Sequence, residues 1–211
     1  MNKILIKTAG RTGSHVIAQQ KMSQLGLTQS QGRFYHNQDL PPQELYTLEA
    51  PVVVHDHTMT VPQNSHEWDL VVSLRRSVYD QAVSYCIAKQ SENFGHAPAP
   101  DGDFIIDDDL FVRTLKNYKV VNYYWLLIAE LIQWRSTEII YWEDCLPLDR
   151  DNPMNYPAAD KNRVVNHPQL MNLAERYVQN HNWAIDLAAE RAAQHIGTIG
   201  RVAARALLVG D

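Results

Sequence analysis

The sequence predicts an α/β protein, a single domain in which helices cover both faces of a central parallel sheet to give three layers. Three observations lead there. Short, almost unbroken apolar runs recur along the chain, as strands buried on both faces must read. Each is followed by a longer stretch with helical spacing, the alternation that builds parallel sheets. Length and composition agree, because 211 residues with 45% hydrophobic and 20% charged residues suffice for one good-sized core.

The elements follow in order. Residues 3–8, Lys-Ile-Leu-Ile-Lys-Thr, form an apolar run closed by Ala9-Gly10 and read as the first strand. A helix starts near Ser14, with Ser14 placed to cap it and Gly26 to stop it. Residues 37–48 are polar and contain Pro41-Pro42, a connection. Pro51-Val52-Val53-Val54 is the second strand and runs out in His55-Asp56-His57. Residues 69–74 make the third, followed at once by Arg75-Arg76 and a helical stretch over 78–89. Residues 91–102 turn loop-like, with two glycines and two prolines. Asp107-Asp108-Asp109 then opens a long helix reaching about Trp134, its carboxylates at the end the helix dipole favours. Residues 138–142 are the fourth strand. After a polar segment at 149–162, helical patterning returns from Pro168 to about His195, and the portion from about 163 to 211 packs on the same domain.

Charge and cysteine usage exclude several classes. A formal net charge of −5 argues against a nucleic-acid surface, so an anion site has to be local. The two cysteines, Cys86 and Cys145, form no C-x-x-C pair, which disfavours a disulfide framework or thiolate metal centre. The apolar segment 120–134 is interrupted by Asn122, Glu130 and Gln133, so no membrane span is expected. No apolar run of signal length stands at the start, and a cytoplasmic protein is expected.

In open parallel sheets ligands bind beyond the carboxyl ends of the strands. Three of the four expected strands end there in chemically capable residues: Gly10–Ser14, His55–His57 and Arg75-Arg76. In the first of these, Thr8-Ala9-Gly10-Arg11-Thr12-Gly13-Ser14-His15, the glycines let successive N–H groups turn toward an anion at a helix N-terminus. Arg11 adds a cation, and Thr12 and Ser14 add hydroxyls. The plain alternative is a strand–helix turn with a capping serine. No Gly-Lys-[Ser/Thr] is present, since Ser14 follows Gly13 without a lysine, and this disfavours a magnesium-dependent nucleotide kinase.

The loop resembles the 5′-phosphosulfate loop of sulfotransferases that use 3′-phosphoadenosine 5′-phosphosulfate (PAPS). Cytosolic members read T-Y-P-K-S-G-T-T, with Arg11, Thr12, Gly13 and Ser14 here in place of Lys, Ser, Gly and the first Thr, and His15 in place of the second. The family's second motif, R-x-P-x-D-x-x-x-S, is matched by Arg76, Asp80 and Ser84, with Val78 where the proline stands. The resemblance implies that Arg76 and Ser84 hold the 3′-phosphate. The register selects Arg76 over Arg75, and Ser84 lies about two turns into the helix, on roughly the same side. The bland alternative is a surface arginine pair on an amphipathic helix. A weaker match, Ile139 to Leu146, resembles the strand ending Y-E-D-L, with Trp142 placed to stack on a purine or simply to fill core. Gly197 to Arg201 keeps only the glycine spacing of a third motif. Together the resemblance covers about a third of the chain and implies the P-loop-type sulfotransferase fold.

Sulfuryl transfer needs a base for the acceptor and stabilisation of the departing bridge oxygen. The resemblance places His57 at the family's catalytic histidine and His55 at its lysine, with Arg11 facing the leaving oxygen. Asp56 and His15 remain candidates for the base. His55-x-His57 also reads as a possible metal pair, but no third ligand is evident, so no metal is expected. The expected function is transfer of a sulfuryl group from PAPS to a hydroxyl or amine acceptor, small molecule, glycan or peptide. The alternatives are a Mg-ATP-dependent kinase and a non-catalytic nucleotide- or glycan-binding module. Acceptor loops fall at 34–49 and 91–109, where Tyr46, Phe94 and Phe104 line a pocket or pack a lid. The acidic run 101–109 disfavours a polyanionic acceptor.

Overall fold

A computed structural model describes residues 2–28, 33–92, 102–145, 163–196 and 207. Among these the chain forms five strands: β1 (Lys3–Thr8), β2 (Phe34–His36), β3 (Val52–Asp56), β4 (Trp68–Leu74) and β5 (Ser136–Tyr141). They make one all-parallel sheet in the order β2-β3-β1-β4-β5. Six α-helices accompany them: α1 (Ser14–Gln24), the one-turn α2 (Pro42–Leu45), α3 (Val78–Gln90), α4 (Asp108–Leu131), α5 (His167–Val178) and α6 (Asn182–Ile196). The expected α/β class with a central parallel sheet and flanking helices is what the chain adopts.

The period-2 alternation of a strand divides the apolar residues between two cores. Ile4, Ile6, Val53 and Val71 face one way and pack with Ile17, Ala18 and Met22 of α1. Leu5, Val52, Val54, Leu70 and Val72 face the other way, against Tyr124, Trp125 and Ile128 of α4 and the small residues Ala184 and Ala188 of α6. A third cluster lies among α3, α4 and α5, built on Ala82, Val83, Phe111, Leu115 and Leu170. Lys7 and Thr8 complete β1 with no exposure at all, so the polar end of the strand is as buried as its middle.

Several boundaries differ from expectation. β2 is an additional strand, only three residues long, too short to show as an apolar run. Residues 37–48 contain the turn α2. The patterning from 168 to 195 resolves into α5 and α6, broken around Asn180-His181. The long helix α4 ends at Leu131 rather than Trp134, and Trp134 turns back so that its ring N–H donates to the Ile128 carbonyl at 3.1 Å. Phe94, the 149–162 segment and Gly197 to Arg201 lie outside the described residues. No described helix is long and apolar enough to cross a membrane.

The strand order sets where a ligand can sit. From β1 the chain leaves through α1 toward β2, on one side of the sheet; from β4 it leaves through α3 and α4 toward β5, on the other. The connections diverge between β1 and β4, which opens a crevice beyond their carboxyl ends. Residues 9–14 and 75–77 border it.

Candidate functional site

The loop after β1 is held open by a left-handed backbone. Gly10 has φ 90°, Arg11 φ 58° and Gly13 φ 66°, and glycine takes such values without a Cβ penalty whereas arginine does not. Side chains fix the shape. Thr12 Oγ1 lies 2.6 Å from Thr8 Oγ1 and accepts from Ser73 Oγ at 2.8 Å. Gly10 N–H donates to Thr8 Oγ1 at 3.0 Å, and Gln81 Nε2 donates to the Gly10 carbonyl at 2.6 Å. Asn122 of α4 in turn donates to Gln81 Oε1 at 3.2 Å. Thr12 is therefore wholly buried and serves the loop's internal bonding. Gly13, not Ser14, is the N-cap of α1; it makes no side-chain cap bond, and Ser14 is the first, buried helical residue.

Arg11 reaches across the crevice. Its Nε donates to Ser84 Oγ of α3 at 3.1 Å, joining the two segments that the sequence marked separately. Burial holds the Arg11 guanidinium below its ordinary pKa; the Tyr118 hydroxyl opposes that shift and Arg75 adds to it. Arg75 thus adds positive potential at Arg11, a field that favours an anion beside it. Arg75 was not singled out by sequence spacing. Its Nε is buried without a hydrogen-bond partner and stands 3.8 Å from Glu143.

Arg76 has a different setting. Its guanidinium forks onto Asp144 at 2.8 and 2.7 Å, its backbone N–H points to Glu143, and it stacks over the Tyr141 ring at 4.8 Å. About half of the side chain is exposed, as is that of Asp144. The structure therefore pairs Ser84 with Arg11 and Arg76 with Asp144, and does not bond Arg76 to Ser84. Between Arg75, Tyr79, Asn122, Tyr123, Tyr141 and His181 lies a cavity of about 300 Å³.

Trp142 follows β5 and begins a short 3₁₀ turn, Trp142–Cys145. Its ring rests on Gly13: a Cβ at that glycine would come within 1.9 Å of Trp142 Cε3. The tryptophan is a wall of the loop after β1, through a contact that the sequence could not show.

Four histidines gather on the α1 face beyond β2 and β3. His36 and His55 are cross-strand neighbours in parallel register. His57 lies two residues on, and His15 comes down from the first turn of α1. Ring centroids stand 4.8 Å apart for His15–His55 and His36–His55, 4.4 Å for His55–His57 and 5.1 Å for His36–His57. Burial, and then the neighbouring rings, push His55 well below its ordinary pKa. Burial followed by His36 takes His57 down to about 4. Both shifts favour the neutral form of the ring. His57 also abuts the loop, its Nδ1 3.8 Å from where a Gly10 Cβ would be, beside the Tyr118 hydroxyl.

Asp56, an alternative base, points to the other face of the sheet. Its carboxylate takes Lys7 Nζ and Tyr46 OH at 2.5 Å each, and Thr58 N–H at 2.7 Å and Oγ1 at 3.1 Å. With four donors spent on it, this is a structural carboxylate. Tyr46 belongs to the same network and is buried in the core, so it does not line an acceptor pocket. Phe104 bridges to Val164 under the Arg163 guanidinium and packs beside the third core cluster.

No family model matches the chain, and searches of the curated proteins and of the solved structures return no match either.

Proposed function

We propose that the chain is a sulfotransferase that takes its sulfuryl group from PAPS in the crevice between β1 and β4. The observation that carries this reading is the Arg11–Ser84 hydrogen bond. It unites the loop that resembles the phosphosulfate motif with the helix that resembles the 3′-phosphate motif, 73 positions apart in the chain. One ligand bearing anions at both ends of an adenosine would engage both. Arg11, Gly13 and the first turn of α1 would receive the phosphosulfate, with Thr12 keeping the loop in shape from behind.

The 3′-phosphate would sit where Ser84 and the arginines meet. Arg75 contributes positive potential there, and its buried Nε, 3.8 Å from Glu143, makes no hydrogen bond. Arg76 can join by exchanging Asp144 for phosphate, a change between two surface partners that costs little. Trp142 would border the loop as an aromatic wall.

In the reaction, the acceptor oxygen or nitrogen attacks sulfur and the bond from sulfur to the bridging oxygen breaks. The electron pair stays on that oxygen, giving 3′-phosphoadenosine 5′-phosphate (PAP), and the acceptor proton passes to a base. His57 fits that part: it is neutral and borders Gly10. An incoming polyanion would raise its basicity from the low value set by burial. Arg11, largely desolvated, faces the charge that develops on the leaving oxygen, where a fixed cation counts most.

The test is turnover. With PAPS and a mixed panel of hydroxylated and amino acceptors, the chain should release PAP in step with sulfated product. His57→Ala should lower that rate by a factor on the order of 10²–10⁴. PAP binding without transfer to any acceptor would favour a binding module, and turnover of Mg-ATP would favour a kinase.

A further inference from the structure

We propose that His15, His36 and His55 form a binding site for a divalent transition-metal ion of the zinc class, with His57 standing beside its open position. From sequence the pair His55-x-His57 lacked a third ligand; the fold supplies two. The parallel register of β2 and β3 sets His36 directly against His55 on one face of the sheet. The first turn of α1 lowers His15 onto that face, with its ring 4.8 Å from that of His55. One ligand nitrogen from each of the three lies within 4.8 Å of the others.

The second observation concerns His55. The residue is wholly buried, and neither Nδ1 nor Nε2 has a hydrogen-bond partner. A buried imidazole normally satisfies at least its N–H. A ring of this kind, aimed into two other imidazoles and left unpartnered, is accounted for by an ion that takes its lone pair.

Distances and chemistry fit with a modest closure. An ion centred among three atoms at most 4.8 Å apart can lie within about 2.8 Å of each, against zinc–nitrogen bonds of about 2.0–2.1 Å. Small rotations of the half-buried His15 and His36 rings close the gap. His36 Nδ1 accepts from the exposed Gln38 N–H at 3.2 Å. Whichever nitrogen binds metal, that contact is given up, and the exposed N–H turns to water. Three imidazoles with no thiolate or carboxylate suit Zn²⁺, Cu²⁺, Ni²⁺ or Co²⁺ rather than Mg²⁺ or Ca²⁺. A three-histidine set leaves a fourth position for water or substrate, and the neighbouring ring there is His57, 4.4 Å from His55 and 5.1 Å from His36.

This site adjoins the crevice of the donor reading but does not depend on it, and its test needs no nucleotide. The tag-free full-length chain, stripped with chelator, is titrated with Co²⁺ and followed by visible absorption, then back-titrated with Zn²⁺. Expected are one ion per chain, the intense ligand-field bands of a four- or five-coordinate site without a thiolate charge-transfer band, and displacement by Zn²⁺. His36→Gln, at the rim, should weaken binding at least a hundredfold, since even outer-shell changes cost ten- to a hundredfold. His55→Gln should do the same, while His66→Gln, exposed and outside the cluster, should leave binding unchanged. If His55→Gln fails to fold, His36→Gln decides. Absence of Co²⁺ and Zn²⁺ binding by the unaltered chain, or binding that survives His36→Gln, overturns the proposal.

Discussion

The indole of Trp142 occupies the space that any side chain at Gly13 would need, with Cε3 only 1.9 Å from the Cβ position. Gly13 also holds φ 66°, in the left-handed region. Two independent constraints thus meet at one residue, at the N-cap of α1. Gly13→Ala should destabilise the fold by about 2 kcal/mol or more, the left-handed conformation alone accounting for about 1–2. Adding Trp142→Ala should relieve the steric part and leave the backbone part. Urea unfolding of the two single variants and the double one measures this coupling; strict additivity would contradict it.

Arg11 and Ser84 form the bond that closes the crevice. Arg11→Ala and Ser84→Ala should each weaken PAP binding, Arg11→Ala by about 1.5–3 kcal/mol. Because Ser84 positions Arg11, the double variant should lose less than the sum of the two. Calorimetry on the four proteins reads the interaction directly. Additive losses would mean that the two side chains meet the ligand separately.

Arg76 is tied to Asp144 on the surface. If the 3′-phosphate competes for that guanidinium, Asp144→Asn should tighten PAP binding, and Arg76→Ala should weaken it roughly tenfold to a hundredfold. Adenosine 5′-phosphate should be indifferent to both. Equal effects on the two nucleotides would remove Arg76 from the 3′-phosphate and leave Arg75 to hold it.

Lys7 and Asp56 form a wholly buried pair, with Tyr46 and two carbonyls also bonded to the ammonium. Lys7→Met should cost about 3–5 kcal/mol because it strands a buried carboxylate, and Lys7→Met/Asp56→Asn should recover part of that loss. Burial lowers the Lys7 pKa from 10.5 to about 8, against the pull of Asp56. Between those values the unfolded chain binds the extra proton. Lys7 therefore makes stability rise with pH there, by at most about 1.4 kcal/mol per unit. The limb should be present in the parent protein and absent in Lys7→Met. Equal pH slopes would contradict the assignment.

What was legible in the sequence was what local chemistry writes. The valine and isoleucine runs marked four strands, and the strand–glycine–helix boundary at Gly10 to Ser14 marked the loop. The strand–helix loop pointed to Arg11 and the motif resemblance to Ser84, though neither showed that they touch. The rest depended on register and packing. His36 was invisible because β2 is three residues long, and its meeting with His55 follows only from which strands pair. Lys7 looked like the polar end of an apolar strand, and its burial comes from Asp56, Tyr46 and Trp125, which are distant in the chain. The motif register selected Arg76 over Arg75, but it could not show that Arg76 is tied to Asp144 while Arg75 stands against Glu143.

The central claim is that the crevice between β1 and β4 recognises a nucleotide by two anions, one at each end. Calorimetry of the unaltered chain against PAP, adenosine 5′-phosphate and Mg-ATP tests it most directly. PAP should bind at least tenfold more tightly than adenosine 5′-phosphate, with no need of magnesium. Tight binding of Mg-ATP with no response to PAP would contradict the account.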